Sequence, residues 1–225
     1  MSCRFANLAG AMLALTLLAA SPCDAQSLIP NHDFEVDGDA NNDPDDWFHG
    51  GTTPYITNDD SDGVGTSSVG LVGRADWRSK VAPVVPLEPL TWSIDYKVAA
   101  GTTGGFRADL RFFRFMAGNG GEGGGFQGED VHPVNVANVA PGVWHTLGPF
   151  TFNVPAGSLP PVQVPGFADV RVSTGDFGLG EIVGEMRLDN IRVNRPIPEP
   201  ATISLLAAAG LGLVALGRRR RKLSA

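Results

Sequence analysis

Trp77 stands in the run Arg74-Ala75-Asp76-Trp77-Arg78-Ser79-Lys80, an aromatic ring set among charges. An indole face can stack on a pyranose ring while neighbouring guanidinium, amide or carboxylate groups reach the ring's hydroxyls. Trp77, Arg78, Trp144 and Phe126 are the side chains suited to that chemistry. Trp77 ranks first, because the charges on either side give its strand one wet face. Trp47 and Trp92 read as core, where large aromatic rings contribute most.

Catalytic chemistry finds less support. The 24 Asp and Glu residues offer many carboxylate pairs of the kind glycosidases use, but abundance does not make a constellation. No Gly-x-Ser-x-Gly elbow and no His-Glu-x-x-His occurs, and His32, His49, His132 and His145 lack metal-ligand spacing. Both cysteines, Cys3 and Cys23, lie in the first 25 residues, so the rest of the chain has neither a thiol nucleophile nor a disulfide. The glycine-rich tract 118–125 has no Lys-Ser/Thr and no strand-turn-helix setting, which excludes a phosphate-cradling loop. The expectation is a protein that is not an enzyme.

The elements that must position these residues read as β-strands. Between residues 26 and 197 no sustained helical period occurs, and short alternating or β-branched runs recur between Gly-, Pro- and Asp-rich breaks. The runs predict strands at 55–57, 68–72, 77–81, 90–99, 106–115, 131–136, 145–152, 168–173 and 185–193. Leu90, Trp92, Ile94, Tyr96 and Val98 share one face of their strand, as in a half-buried strand of a sandwich. Two packed antiparallel sheets are expected, with loops gathered at their ends. The acidic stretch 37–46 and the tract 118–125 are expected to be surface connections, the second a mobile one.

The two ends say where the chain goes. Residues 1–25 carry Arg4, an apolar run and small residues at Cys23 and Ala25, the pattern of a secretory signal peptide cut after Ala25. A competing reading acylates Cys23, against which Pro22 does not fit the small-residue requirement. At the other end the apolar run 201–217 would rise roughly 25 Å as a helix, the short limit for a membrane span. The basic cluster 218–222 would hold its flank in the cytoplasm and leave everything before it outside. The chain is thus expected to be exported across the inner membrane, with one domain at 26–195. The formal charge of −7 hides a segregation: residues 26–199 hold 11 basic against 23 acidic residues, a net of −12. Nucleic acid and anionic lipid are disfavoured as partners of such a surface.

Pro198-Glu199-Pro200, the apolar run and the basic cluster together resemble the PEP-CTERM sorting signal, placed here at 196–225. That resemblance implies an exosortase as processing partner. It also implies association with bacteria that make extracellular polymeric matrix, the protein ending membrane-anchored, or at the cell surface or extracellular after processing. The segments Leu28-Ile29-Pro30-Asn31-His32-Asp33-Phe34-Glu35, Leu87 to Val98 and Gly184 to Val193 resemble the galactose-binding-like jelly rolls of carbohydrate-binding modules. The resemblance implies a jelly-roll β-sandwich, exopolysaccharide as a ligand, and a structural calcium (Ca2+) shared by Glu35 and Asp189, with Asp37 or Asp33 contributing. A structural surface or matrix protein without a sugar ligand is the alternative.

Overall fold

Period-two alternation is realised most fully in the strand Pro89–Val98, where Leu90, Trp92, Ile94, Tyr96 and Val98 are all buried and the residues between them are not. The computed structural model describes residues 27–38, 44–52, 55–57, 59, 61, 67–117, 122–157, 165–175 and 178–196. The signal peptide expected at 1–25, the Pro198-Glu199-Pro200 motif, the helix expected at 201–217 and the basic cluster at 218–222 lie outside the described residues. Among the described residues no helix is long and apolar enough to cross a membrane. Residues 26–195 form one compact unit.

In chain order the strands are Trp47–Thr52 (β1), Tyr55–Thr57 (β2), Ser67–Ser79 (β3), Ala82–Pro83 (β4), Pro89–Val98 (β5), Gly105–Ala117 (β6), Glu122–Asn135 (β7), Trp144–Asn153 (β8), Phe167–Thr174 (β9) and Ile182–Asn194 (β10). A 3-10 turn at Val136–Asn138 follows β7. All named pairings are antiparallel, and the main path runs β7-β6-β9-β3-β10-β5-β8. The sheet curls on β3. Val69 to Gly73 pair with β10, whereas Asp76 to Arg78 pair with β9 on one side and β1 on the other. Gly73 between the halves has φ +66, a conformation that costs glycine little because it has no Cβ. The strands expected at 68–72 and 77–81 are therefore one strand, turned at Gly73 rather than broken there.

Curling brings the two halves face to face. Tyr96 of β5 packs edge-on against Phe106 of β6 at 5.2 Å, and Phe112 of β6 stacks on Phe152 of β8 at 5.5 Å. His132 of β7 stacks on Phe150 of β8 at 3.4 Å. Between them lies a continuous core that includes Val69, Leu71, Trp92, Leu110, Val170 and Leu188. The architecture is all-β and consistent with a β-sandwich.

The opening segment is held by Asn31. Its amide nitrogen donates to the carbonyls of Val36 and Asp45, each at 2.8 Å, and its amide oxygen accepts from Val36 N–H at 2.9 Å. The Trp47 indole N–H donates to the Asn31 carbonyl at 2.8 Å. Phe34, fully buried at φ +58, lies 4.7 Å from the Trp47 ring and 6.2 Å from that of Trp77. Burial of the ring in this aromatic cluster offsets the cost of a left-handed backbone.

Of the glycine tract, residues 118–121 lie outside the described residues, and Glu122 to Gly125 belong to β7 where a surface connection was expected. A Cβ on Gly123 would lie 2.2 Å from the Phe113 ring, so the absent side chain is what lets that ring lie against the strand. β1 forms where only a loop and a core tryptophan were expected.

Candidate functional site

Strands β3, β9 and β6 turn one face to the core and present charge on the other. On β6, Phe106, Ala108, Leu110 and Phe112 point inward, so Arg107, Asp109, Arg111 and Phe113 line the outer face. Register sets the outer residues side by side. Arg78 of β3 lies opposite Arg171 of β9, which lies opposite Asp109 of β6. Asp76 lies opposite Ser173 and then Arg107, while Asp169 lies opposite Arg111 and then Glu129.

The result is a mat of alternating guanidinium and carboxylate groups. Arg111 grips Asp169 through two parallel hydrogen bonds of 2.8 and 2.7 Å, the fork geometry in which arginine binds carboxylate most strongly. Arg107 hydrogen-bonds Asp109 through Nε and reaches Glu129 at 2.6 Å. The Nε atoms of Arg78 and Arg171 both approach Asp76 Oδ2, at 3.1 and 3.9 Å. Asp109 lies beneath this layer with no exposed surface, and among the described residues its Oδ2 has no hydrogen-bond partner. Burial pushes its carboxyl up to about 6, against the opposing hydrogen bond from Arg107. Burial raises Asp169 as well, against the pull of Arg111.

Two open depressions flank the Arg78–Arg171 rung. One, of about 270 Å³, is lined by Arg74, Asp76, Arg171, Ser173 and Thr174 over the backbone of Gly50 and Gly51. The other, of about 80 Å³, is lined by Arg78, Arg111, Asp169, Phe48 and Phe113. Beyond the second, Phe126 packs edge-on to Phe113 at 6.1 Å and is 54% exposed, and Phe115 is 45% exposed.

This geometry redistributes the expected binding residues. Trp77 is fully buried, its indole N–H donating to the Gly70 carbonyl at 3.0 Å. It cannot stack on a ligand: the charged residues around it face outward, and period-two alternation turns the ring between them to the core. Arg78 and Phe126 do share the outer face of the β3-β9-β6-β7 half. Trp144 belongs to the other half, on β8, with the Lys97 ammonium 4.8 Å from its ring centroid. Near it Asp59 is hydrogen-bonded by both Lys97 and Arg187. Burial alone would raise the Asp59 carboxyl, but those two cations outweigh it and hold it below the usual carboxylate range. A depression of about 220 Å³ opens there between Lys97, Ala99, Gly142 and Arg187.

The residues expected to hold calcium accept hydrogen bonds from the backbone. Glu35 accepts the Ser67 N–H at 2.7 Å, and buried Asp189 accepts the N–H groups of Ser61 and Asn190, each at 2.7 Å. Asp37 is half-buried between exposed Val36 and Gly38, and Asp33 is 3.8 Å from the His32 ring. Among the described residues no group of three or more His, Cys, Asp or Glu side chains is placed to hold a metal ion. Glu35 and Asp189 tie the start of β3 and residue 61 to the fold through backbone donors.

Sequence reading missed Arg107, Asp109, Arg111, Asp169 and Arg171. Their signal was present as charge at every second position, Arg107-x-Asp109-x-Arg111 on one strand and Asp169-x-Arg171 on another. What alternation could not supply was the adjacency of those strands.

Comparison with known proteins places a PEP-CTERM protein-sorting motif at residues 196–222. No curated protein matches the chain. Solved structures of similar shape include a cyclase from Fischerella sp. TAU in complex with 4-(1H-indol-3-yl)butan-2-one, 13% identical with a TM-score of 0.48, covering 76% of this chain and 97% of that one. The CBM22-1 xylan-binding domain of Paenibacillus barcinonensis Xyn10C is 14% identical with a TM-score of 0.42, covering 76% of this chain and 95% of that one. The enzymatically active domain of bacteriophage CBA120 tailspike protein 4 is 14% identical with a TM-score of 0.45, covering 76% of this chain. The match spans 21% of that tailspike chain.

Proposed function

We propose that this is an exported surface protein, processed by an exosortase, whose jelly-roll sandwich binds glycan without catalysis on the outer face of β3, β9 and β6. The sorting motif at 196–222 supports the address. The observation that carries the binding reading is the mat of paired guanidinium and carboxylate groups, open at two depressions and bordered by the exposed rings of Phe126 and Phe115. Fixed carboxylates accept from sugar hydroxyls, guanidiniums donate to them, and an exposed aromatic face stacks on the ring. The pairing also keeps these side chains in place before a ligand arrives, which lowers the ordering cost of binding.

A catalytic role is not part of the proposal. Asp169 is gripped by Arg111 in two-point geometry and Asp109 lies beneath the arginine layer, so neither stands free to exchange protons with a substrate.

The test is binding of the full chain, purified in detergent, to a panel of neutral and acidic polysaccharides, with Phe126→Ala and Arg78→Ala as variants. Phe126→Ala removes an exposed ring and leaves the core intact, so a loss of binding with unchanged melting supports the reading. Retention of no polysaccharide in the panel would leave the structural-protein alternative standing.

A further inference from the structure

The run Val81 to Leu90 holds one charged residue among ten, Glu88, in a domain otherwise rich in charge. Around the turn from β4 into β5 it leaves Pro83, Val85, Leu87 and Pro89 exposed in alternation, Val85 by 59% and Leu87 by 65%. Leu87 has φ +65, a left-handed conformation in which glycine or asparagine is the low-cost choice. The turn is nonetheless fixed. The Leu87 N–H donates to the Val154 carbonyl and the Val154 N–H to the Glu88 carbonyl, each at 2.9 Å. The Glu88 carboxylate accepts from the Val85 N–H at 2.6 Å and from Arg195 Nε at 2.8 Å. Arg195 also donates to the Pro83 carbonyl at 3.1 Å. A rigid turn thus presents a contiguous apolar ridge with its one carboxylate neutralised, the character of a contact surface rather than of scattered exposed residues.

Where the chain goes next names the occupant. Arg195 ends the compact unit, and only residues 196–200 separate it from the apolar run 201–217. Five residues reach about 17 Å at most. We infer that the ridge 83–89 docks on the lipid bilayer in which that run sits, with Val85 and Leu87 entering the boundary between headgroups and acyl chains. Docking presupposes the surface-sorting reading, with 201–217 seated in a membrane, and adds to it the face that meets the lipid. Two apolar side chains hold a membrane weakly from solution, but a short tether makes the contact intramolecular, at an effective concentration in roughly the millimolar range. Glu88 and Arg195 cancel at the ridge, while the net charge of −12 over residues 26–199 favours zwitterionic over anionic lipid.

The test uses the full chain with its only cysteines replaced, Cys3→Ser and Cys23→Ser, reconstituted in phosphatidylcholine vesicles. A fluorophore is attached at Leu87→Cys, at Val85→Cys in a second variant that keeps the test valid if the first misfolds, and at Val183→Cys as control. Val183 is 66% exposed but lies at the far end of β10 from Arg195, roughly 30 Å away at strand dimensions. Lipid-borne quenchers at headgroup depth should quench the probes at 85 and 87 at least three-fold more than the probe at 183, and no more strongly once phosphatidylglycerol is added. Equal quenching at 87 and 183, or quenching that grows with phosphatidylglycerol, overturns the docking. Quenching at none of the positions, in a chain that floats with the vesicles, overturns it too and leaves the membrane span in place. A probe at 87 that responds to protein density but not to lipid quencher makes a second copy the occupant and likewise overturns it. Failure of the chain to float with vesicles sinks span and docking together and leaves glycan binding untouched.

Discussion

Asp109→Asn probes the buried carboxylate beneath the arginine layer. In the folded protein the Asp109 carboxyl is raised from 3.8 to about 6, first by burial, with Arg107 opposing. The folded state thus holds this proton more tightly than the unfolded chain, and protonation stabilises the fold. That stabilisation is complete below pH 3.8 and is lost as pH rises through about 6. Integrated from about pH 7.5 down to about pH 5, it amounts to about 1.4 kcal/mol for this single group. For a domain of this size that is a rise of about 3–6 °C in melting temperature. Asparagine cannot titrate, so Asp109→Asn should lack this component whatever its absolute stability, with Arg107 still paired to Glu129. The assay is urea unfolding at the two pH values, wild type beside variant, comparing differences in stability between pH values rather than stabilities themselves. A variant whose pH dependence matches the wild type would refute the assignment of a buried, high-pKa carboxylate at this position.

Other consequences rest on particular contacts. Trp77→Ala should cost about 3–5 kcal/mol in chemical unfolding, as for any large ring removed from a packed core, and any loss of ligand binding should track the unfolded fraction. Gly123→Val, which puts a side chain where the Phe113 ring lies at 2.2 Å, should cost about 1–3 kcal/mol, and Phe113→Ala should relieve much of it in a double-mutant cycle. Because Glu35 and Asp189 spend oxygens on backbone N–H groups, melting should be the same in calcium and in chelator; a calcium-dependent rise abolished by Asp189→Ala would restore the metal role. Asp59→Asn should destabilise the protein above the carboxylate range and matter little in acid, since the lowered Asp59 carboxyl contributes stability only while ionised; melting at neutral and acid pH reads this.

Much of the all-β fold was legible because burial on one face of a strand writes a period of two into the chain. Leu90 to Val98 showed it plainly, and each run predicted as a strand lies on or overlaps an observed one, with 68–72 and 77–81 sharing β3. The join at Gly73 was not legible, since a glycine marks a turn, a bulge or a bend equally well and only its pairing partners decide. The Asn31 motif could be recognised but not explained until its amide met the carbonyls of Val36 and Asp45, the second of them 14 residues away.

The sequence by itself determined the all-β class and the anionic character of residues 26–199, because these follow from local pattern and composition. It also held the sorting motif at 196–222, which is contiguous in the chain. Only the tertiary structure decided which charged faces meet. Asp76, Asp109 and Asp169 come from three strands far apart in sequence, and pairing of β3 with β9 and β9 with β6 sets them among Arg78, Arg107, Arg111 and Arg171. The same pairing turned Trp77 inward and left Phe126 in water. A side chain's face depends on its own strand, but its neighbours depend on register across the sheet, which is fixed by packing of the whole core.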